Sequence, residues 1–428
     1  MRRQNIAWSA DGSVIPEAEP HTKAKHYIIE TYVVNLIHTL YGKSRHGVTN
    51  FTFIDGFCGG GLYKDPQEKD MWYGSPVKII QAVREGYKKS RRNYPLNVQF
   101  IFIDNQKEHL DYLKNHAMPR AGLDELCDGV VHTFTDEFGT RTEKCEFIQG
   151  EFEELIDLCI LKADLFKGHA FFLLDPWGWT DVSMESIRKI HSLTKSEILY
   201  TFMIDFIARF ITERDTNLQK AFRDILEADG YYDLKKITDL GSTSVQCYLR
   251  NESMRLFREK GKFKKAFTFS MVPRGDTRPL YYLIHLSKSL TALQVIKDSF
   301  WQNNNSFYQY HFEIYGYTFR TTDFYEENQL SLEFDITENN YNYSIKKLHQ
   351  QLANLIYSQE EITFLNLCER TMELNPANRK QYVELINILR MEGDIEVIRN
   401  DKLLNGKKPD LQKNDLIKQP STKQLRLF

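Results

Sequence analysis

Phe53-Ile54-Asp55-Gly56-Phe57-Cys58-Gly59-Gly60-Gly61 joins an apolar run, a carboxylate and a glycine-rich turn. Glycine has no Cβ, so the backbone of such a turn can approach a ligand closely. A second apolar run, Val98 to Ile103, ends in Asp104, and a third, Ala170 to Leu174, ends in Asp175-Pro176-Trp177-Gly178. Between them, Glu146-Phe147-Ile148 leads into Gln149-Gly150-Glu151. An ionised carboxylate accepts hydrogen bonds at both oxygens, so it can hold the two hydroxyls of a sugar or the N–H groups of an amine. Buried-looking strands with acids at their C-terminal ends describe one rim of an open α/β sheet, where nucleotide-like ligands sit.

These residues need a sheet to align them, and the pattern supplies one. A helix beginning near Lys23 carries Ile28, Tyr32, Leu36 and Leu40 at helical spacing. Strand Asn50 to Ile54 follows, then a loop from Leu62 to Gly74 and a helix start at Ser75-Pro76, where serine can cap and proline loses no bond. Strands at Val98–Ile103, Glu146–Ile148, Ala170–Leu174 and Glu197–Phe202 alternate with helices, which predicts a mainly parallel sheet. Ile207, Phe210 and Ile211, then Ala221, Ile225 and Leu226, predict a helical insertion ending in a basic run that includes Lys262 and Lys264. Strands Ala266–Met271 and Leu280–Leu286, joined through Pro273-Arg274-Gly275-Asp276, predict an antiparallel hairpin that closes the sheet. Near the C-terminus, helices through Ile345–Ile356 and Phe364–Met372 and a third from Asn375-Pro376 precede strand Asp394–Ile398. That order reads as a winged helix.

The expected organisation is a lead-in over 1–20, a Rossmann-like core over 21–205 and the insertion over 206–262. The closing hairpin and helix span 263–310 and a connector 311–343. A winged-helix-like domain covers 344–406 and a polar tail 407–428. At 428 residues and 42% hydrophobic, the chain can bury real cores. A net charge of −2 gives no global nucleic-acid signature, so such contacts must be local. The six cysteines form no CxxC pair, so no metal site is expected. No apolar run approaches a membrane span, and a cytoplasmic location is expected.

The turn Asp55–Gly61 resembles the cofactor turn of class I S-adenosylmethionine methyltransferases. Asp55, Gly56, Gly59 and Gly61 would meet the amino-acid part of that cofactor, Asp104 its ribose hydroxyls, and Gly150-Glu151 its adenine. A pyrophosphate cofactor prefers a glycine turn opening directly into a helix; here a long loop intervenes before Ser75. Asp175-Pro176-Trp177-Gly178 resembles the Asp-Pro-Pro-aromatic motif of methyltransferases that act on nucleobase amines, with Trp177 in place of the second proline. Asp175 and Pro176 would orient an exocyclic amine, and Trp177 or Trp179 would stack on the base. Phe57-Cys58-Gly59 also resembles the first motif of cytosine-C5 methyltransferases, but no Pro-Cys pair supplies their nucleophile.

Taken together, the chain resembles the three-Cys-motif partner proteins. The matching pieces are His21-Thr22-Lys23-Ala24-Lys25, Ile54 to Gly61, Gly74-Ser75-Pro76, Phe102-Ile103-Asp104, Leu174 to Gly178, Tyr281-Tyr282-Leu283, Lys297-Asp298 and Trp301. The resemblance implies a methyltransferase-like fold and a partner with a three-cysteine, iron–sulfur or radical-type motif, in prokaryotic nucleic-acid metabolism. His21, Lys23 and Lys25 would reach the rim and touch phosphate or substrate, and Lys262 and Lys264 would track a nucleic-acid backbone. The competing expectation is a non-catalytic adaptor that holds nucleic acid or the partner.

Overall fold

In the computed structural model, the described residues are 8–43, 47–68, 70–92, 94–178, 180–204, 216–239, 242–273, 279–303, 310–314, 336–359 and 361–420. They fall into two compact units, residues 1–303 with 307–312, and residues 304–306 with 313–428.

The first unit is built on one sheet. Its strands are β1 (Asn50–Asp55), β4 (Leu96–Asp104), β5 (His132–Asp136), β6 (Gly139–Gln149), β7 (His169–Leu174), β8 (Ser196–Phe202), β9 (Lys265–Pro273), β10 (Tyr281–Ser287) and β11 (Tyr310–Ile314). The order is β11-β9-β10-β8-β7-β1-β4-β6-β5. The central strands β6, β4, β1, β7 and β8 are parallel. β10 runs antiparallel to both β8 and β9. After β1 the chain adds β4 and β6 on one side, then crosses to place β7 and β8 on the other. The direction reverses at β1, which makes a crevice over its C-terminal end. This is the Rossmann-like methyltransferase fold: a parallel sheet closed by an antiparallel hairpin. β7 and β8 are buried at every position, as central strands covered on both faces are, and they are mostly apolar.

The helices that position the rim are α1 (Pro20–Ile37), α2 (Ser75–Ser90), α3 (Lys107–Tyr112), α4 (Phe152–Phe166) and α5 (Met184–Ser192). α1 starts earlier than Lys23, because Pro20 occupies its first turn, where the absent N–H costs no hydrogen bond. It is pinned to the sheet by Tyr32, whose hydroxyl donates to Glu197 of β8 and lies 3.0 Å from His285 Nε2 of β10. Among the described residues the insertion holds three helices, α6 (Thr216–Leu226), α7 (Leu234–Asp239) and α8 (Ser242–Glu259), and α9 (Leu290–Asn303) closes the unit. Ile207, Phe210 and Ile211, and the turn Arg274-Gly275-Asp276, lie outside the described residues.

Two segments expected as irregular are ordered. The loop after the glycine turn is a hairpin, β2 (Leu62–Asp65) and β3 (Asp70–Tyr73). Residues 8–19 run along it: Lys64 N–H donates to Pro16 and Ala18 N–H to Lys64, each at 2.8 Å. Trp8 anchors this lead-in, donating from Nε1 to the Leu62 carbonyl at 2.5 Å.

The second unit contains α10 (Ile336–Ser358), β12 (Glu361–Thr363), α11 (Phe364–Thr371), α12 (Arg379–Glu392), β13 (Glu396–Arg399), β14 (Lys402–Leu403) and β15 (Leu416–Lys418). The sheet order is β12-β15-β13-β14, all antiparallel. Helix, strand, two helices and a hairpin make a winged helix. It uses residues expected to be connector and tail, since α10 starts at Ile336 and β15 lies at 416–418. Asn378, rather than Asn375, caps α12 in a reciprocal capping box with Gln381. Gly393 ends α12 at φ +80°.

Candidate functional site

The glycine turn straddles the crevice because its backbone is tied to both neighbours of β1. Gly56 N–H donates to Leu173 of β7 at 3.0 Å, and Cys58 N–H to Ile103 of β4 at 2.9 Å. Gly59 (φ +58°) and Gly61 (φ +71°) take left-handed backbone. The ring that closes on this backbone is Trp8. A Cβ on Gly60 would stand 2.3 Å from the Trp8 Cγ. Trp8 also packs edge-on to Tyr63 and His109. Its role was invisible in the sequence, where it belongs to a polar lead-in.

Three carboxylates converge on the crevice. Asp55 ends β1 and is buried. Its Oδ1 accepts the Phe57 N–H at 3.2 Å, while its Oδ2 is buried with no partner among the described residues. Burial pushes its pKa up to about 7, against the Ser75 side chain and the Phe57 N–H, which lower it; Asp175 and Asp104 add to the rise. Ser75 was expected to cap α2. The structure makes Gly74 the N-cap and places Ser75 in the first turn of α2, with no side-chain cap.

Asp104 ends β4. Its Oδ2 accepts Gly59 N–H at 3.0 Å, and its Oδ1 accepts Gln106 N–H at 2.8 Å and lies 2.9 Å from His109 Nδ1. Gly150 N–H bonds the Asp104 carbonyl at 3.1 Å, which brings Glu151 to the same rim. There Glu151 accepts from Asn105 at 2.8 Å.

Asp175 follows β7 and forms an ion pair with Lys25 of α1; the two side chains are 28% and 7% exposed. Lys25 also lies 5.6 Å from the centre of the Tyr281 ring. His21, one helical turn earlier, meets the same ring, and Tyr281 donates to the His21 carbonyl at 3.2 Å. Burial, then the Lys25 charge, hold His21 down at about 4, so its ring is neutral. Pro176 is buried, while Trp177 is 54% exposed. Trp179 lies outside the described residues.

Asp55, Gly56, Gly59, Gly61, Asp104, Gly150, Glu151, Asp175, Pro176, Trp177, His21 and Lys25 thus share one end of the sheet. The other three basic residues do not join them. Lys23 turns to the hairpin, 2.5 Å from Asp65. Lys262 and Lys264 are exposed and precede β9. Lys265 pairs with Ser287, and the adjacent Leu286 pairs with Ile198 at the start of β8. These lysines therefore lie at the opposite end of the sheet from Asp175. Cys58 is buried, and burial raises its thiol well above the ordinary range, so it is a packed turn residue rather than a nucleophile. Among the described residues no group of His, Cys, Asp and Glu could hold a metal ion, and no helix is long and apolar enough to cross a membrane.

A family described as a GMT-like wHTH domain matches residues 316–402. A comparison with curated proteins finds no match. Among solved structures, Trm1 from Pyrococcus horikoshii with S-adenosyl-L-methionine is similar at 12% identity and a TM-score of 0.34, covering 96% of this chain and 94% of that one. The plantazolicin methyltransferase BamL, solved with SAH, is similar at 10% identity and a TM-score of 0.27, covering 61% of this chain and 86% of that one. Both likenesses are remote, and the fold is read from the strand order itself.

Proposed function

We propose that this chain is an S-adenosylmethionine-dependent methyltransferase acting on nucleic acid. The observation that carries the reading is the buried, unpartnered Oδ2 of Asp55 in a crevice that also holds Asp104 and Asp175. A pyrophosphate cofactor would bring anionic charge against these carboxylates. S-adenosylmethionine brings an α-ammonium and a sulfonium, so a cationic ligand meets an acidic crevice. Asp55 would take the ammonium, the Gly56–Gly61 backbone would lie against the amino-acid part, Asp104 would hold the ribose hydroxyls, and Glu151 would accept from the adenine amine. When bound, the cofactor supplies an activated methyl group. This chain's residues bind it, orient the acceptor and exclude water.

Asp175, Pro176 and Trp177 would form the acceptor side, with exposed Trp177 free to stack on a base or nucleoside. On the motif alone the acceptor is an exocyclic nucleobase amine in DNA or RNA. The winged helix supports nucleic acid as the substrate class. A three-Cys-motif partner rests on the family resemblance only.

The second reading, a non-catalytic adaptor, is favoured by Trp8, which packs on the turn that would otherwise face a ligand. Calorimetric titration of the purified chain with S-adenosylmethionine separates the two. The methyltransferase reading expects saturable binding that is lost in Asp104→Ala. No binding, or equal binding by Asp104→Ala, would contradict it.

A further inference from the structure

The Lys25–Asp175 pair changes what the acceptor side can bind. Methyl transfer to a neutral amine places positive charge on nitrogen, and an ammonium at the same carboxylate opposes that charge. It also occupies one oxygen, Oδ2, that would have accepted the amine's N–H. A hydroxyl acceptor has the opposite demand. It must shed a proton and gather negative charge on oxygen as the new bond forms, and a fixed ammonium stabilises that charge where a low-dielectric site makes it count. Among the described residues no hydrogen bond reaches Asp175 Oδ1, so that oxygen can receive the hydroxyl's hydrogen. Lys25 is held for this task by its position on α1, by the Tyr281 ring and by the near-complete burial of its side chain. The neutral His21 ring beside it adds no competing cation.

We infer that Lys25 and Asp175 form the acceptor subsite, and that it takes the 2′-hydroxyl of an RNA ribose rather than a nucleobase amine. This rests on the methyltransferase reading. Within a nucleic acid, the ribose 2′-hydroxyl is the sugar hydroxyl of the chain interior, and DNA lacks it. The hydroxyl proton leaves through the Asp175 carboxylate to solvent. An oxygen lone pair forms the O–CH3 bond, and the S–CH3 bond breaks with its electron pair kept by sulfur. An alcohol and a sulfonium become an ether, a thioether and a proton.

Two measurements on the full chain test it. Fluorescence anisotropy compares a random-sequence single-stranded RNA pool with a DNA pool of the same design. Wild type is expected to bind RNA about tenfold more tightly, the effect of one charge-assisted hydrogen bond, with the preference lost in Lys25→Met and kept in Lys25→Arg. Equal affinity in wild type, or a preference that survives Lys25→Met, overturns the inference. The second measurement incubates wild type with S-adenosylmethionine and RNA, then digests the RNA to nucleosides for mass spectrometry. A methyl group on the ribose fragment is expected. A methyl group on the base, or methylation of the DNA pool, overturns the inference and leaves the methyltransferase reading standing. Absence of cofactor binding by calorimetry removes both.

Discussion

Burial holds Asp55 in a costly state. A carboxyl shifted from 3.8 to about 7 by burial forgoes on the order of 4 kcal/mol once solution pH lies above both values. Its folded pKa is raised, so the folded state keeps a proton that the unfolded state has lost. Stability from this group therefore falls as pH rises from about 4 to about 7 and stays low above that. Asp55→Asn is expected to raise the thermal midpoint at about pH 8, leave it nearly unchanged at about pH 4, and abolish cofactor binding. Circular dichroism melts at the two pH values, with calorimetry, check this. A cationic ligand needs Asp55 ionised, so wild-type affinity for S-adenosylmethionine should weaken as pH falls below about 7, with proton release on binding. Asp55, Asp104 and Asp175 were legible because each closes an apolar strand. Lys25's pairing was not, since a helix start and a strand end far apart in sequence carry no signal that they meet.

The glycine turn is fixed by its neighbouring elements as much as by its own backbone. Gly60→Ala should destabilise the chain by about 1–3 kcal/mol, because its Cβ would overlap the Trp8 ring. The same substitution in a Trp8→Ala background should cost much less. Urea denaturation of the four proteins gives the coupling, and simple additivity would show that the two residues do not share the space. The hairpin β2–β3 escaped the sequence reading because Lys64, Asp65 and Asp70 break the apolar alternation that marks a strand. It is stabilised by partners outside its own pattern, Lys23 on Asp65 and the lead-in along Lys64. By contrast, β1, β4, β7 and β8 were plain in the sequence because burial on both faces leaves them mostly apolar, as in Phe171–Leu174 of β7 and Phe100–Ile103 of β4. In the winged helix, Asn378→Ala should cost about 1 kcal/mol by removing the cap of α12, read by the same denaturation.

For the whole molecule, the two units carry different parts of the proposal. The first holds the acidic crevice. The second holds the wing, where Lys402, Lys407 and Lys408 are exposed. Two arginines next to it are engaged within the unit: Arg390 bonds the carbonyls of Leu404 and Gly406, and Arg399 pairs with Asp415. On the proposed function, these exposed wing lysines are candidate phosphate contacts. Lys407→Glu with Lys408→Glu should weaken nucleic-acid binding and flatten its salt dependence, with cofactor affinity unchanged. An unaltered salt slope would remove the wing from the interface. The boundaries of this unit were the least legible part of the chain. β15 is a short strand in a lysine-rich stretch, and it pairs with β12 and β13, both distant in sequence.

On the proposed function, the crevice over β1 binds a cationic nucleoside cofactor with Asp55 as its counter-ion. Calorimetric titration with S-adenosylmethionine at about pH 7, in two buffers of different ionisation enthalpy, tests it most directly. Saturable binding with release of a proton is expected, with both heat and proton release lost in Asp55→Asn. No binding by wild type, or proton-neutral binding that Asp55→Asn retains, would contradict it.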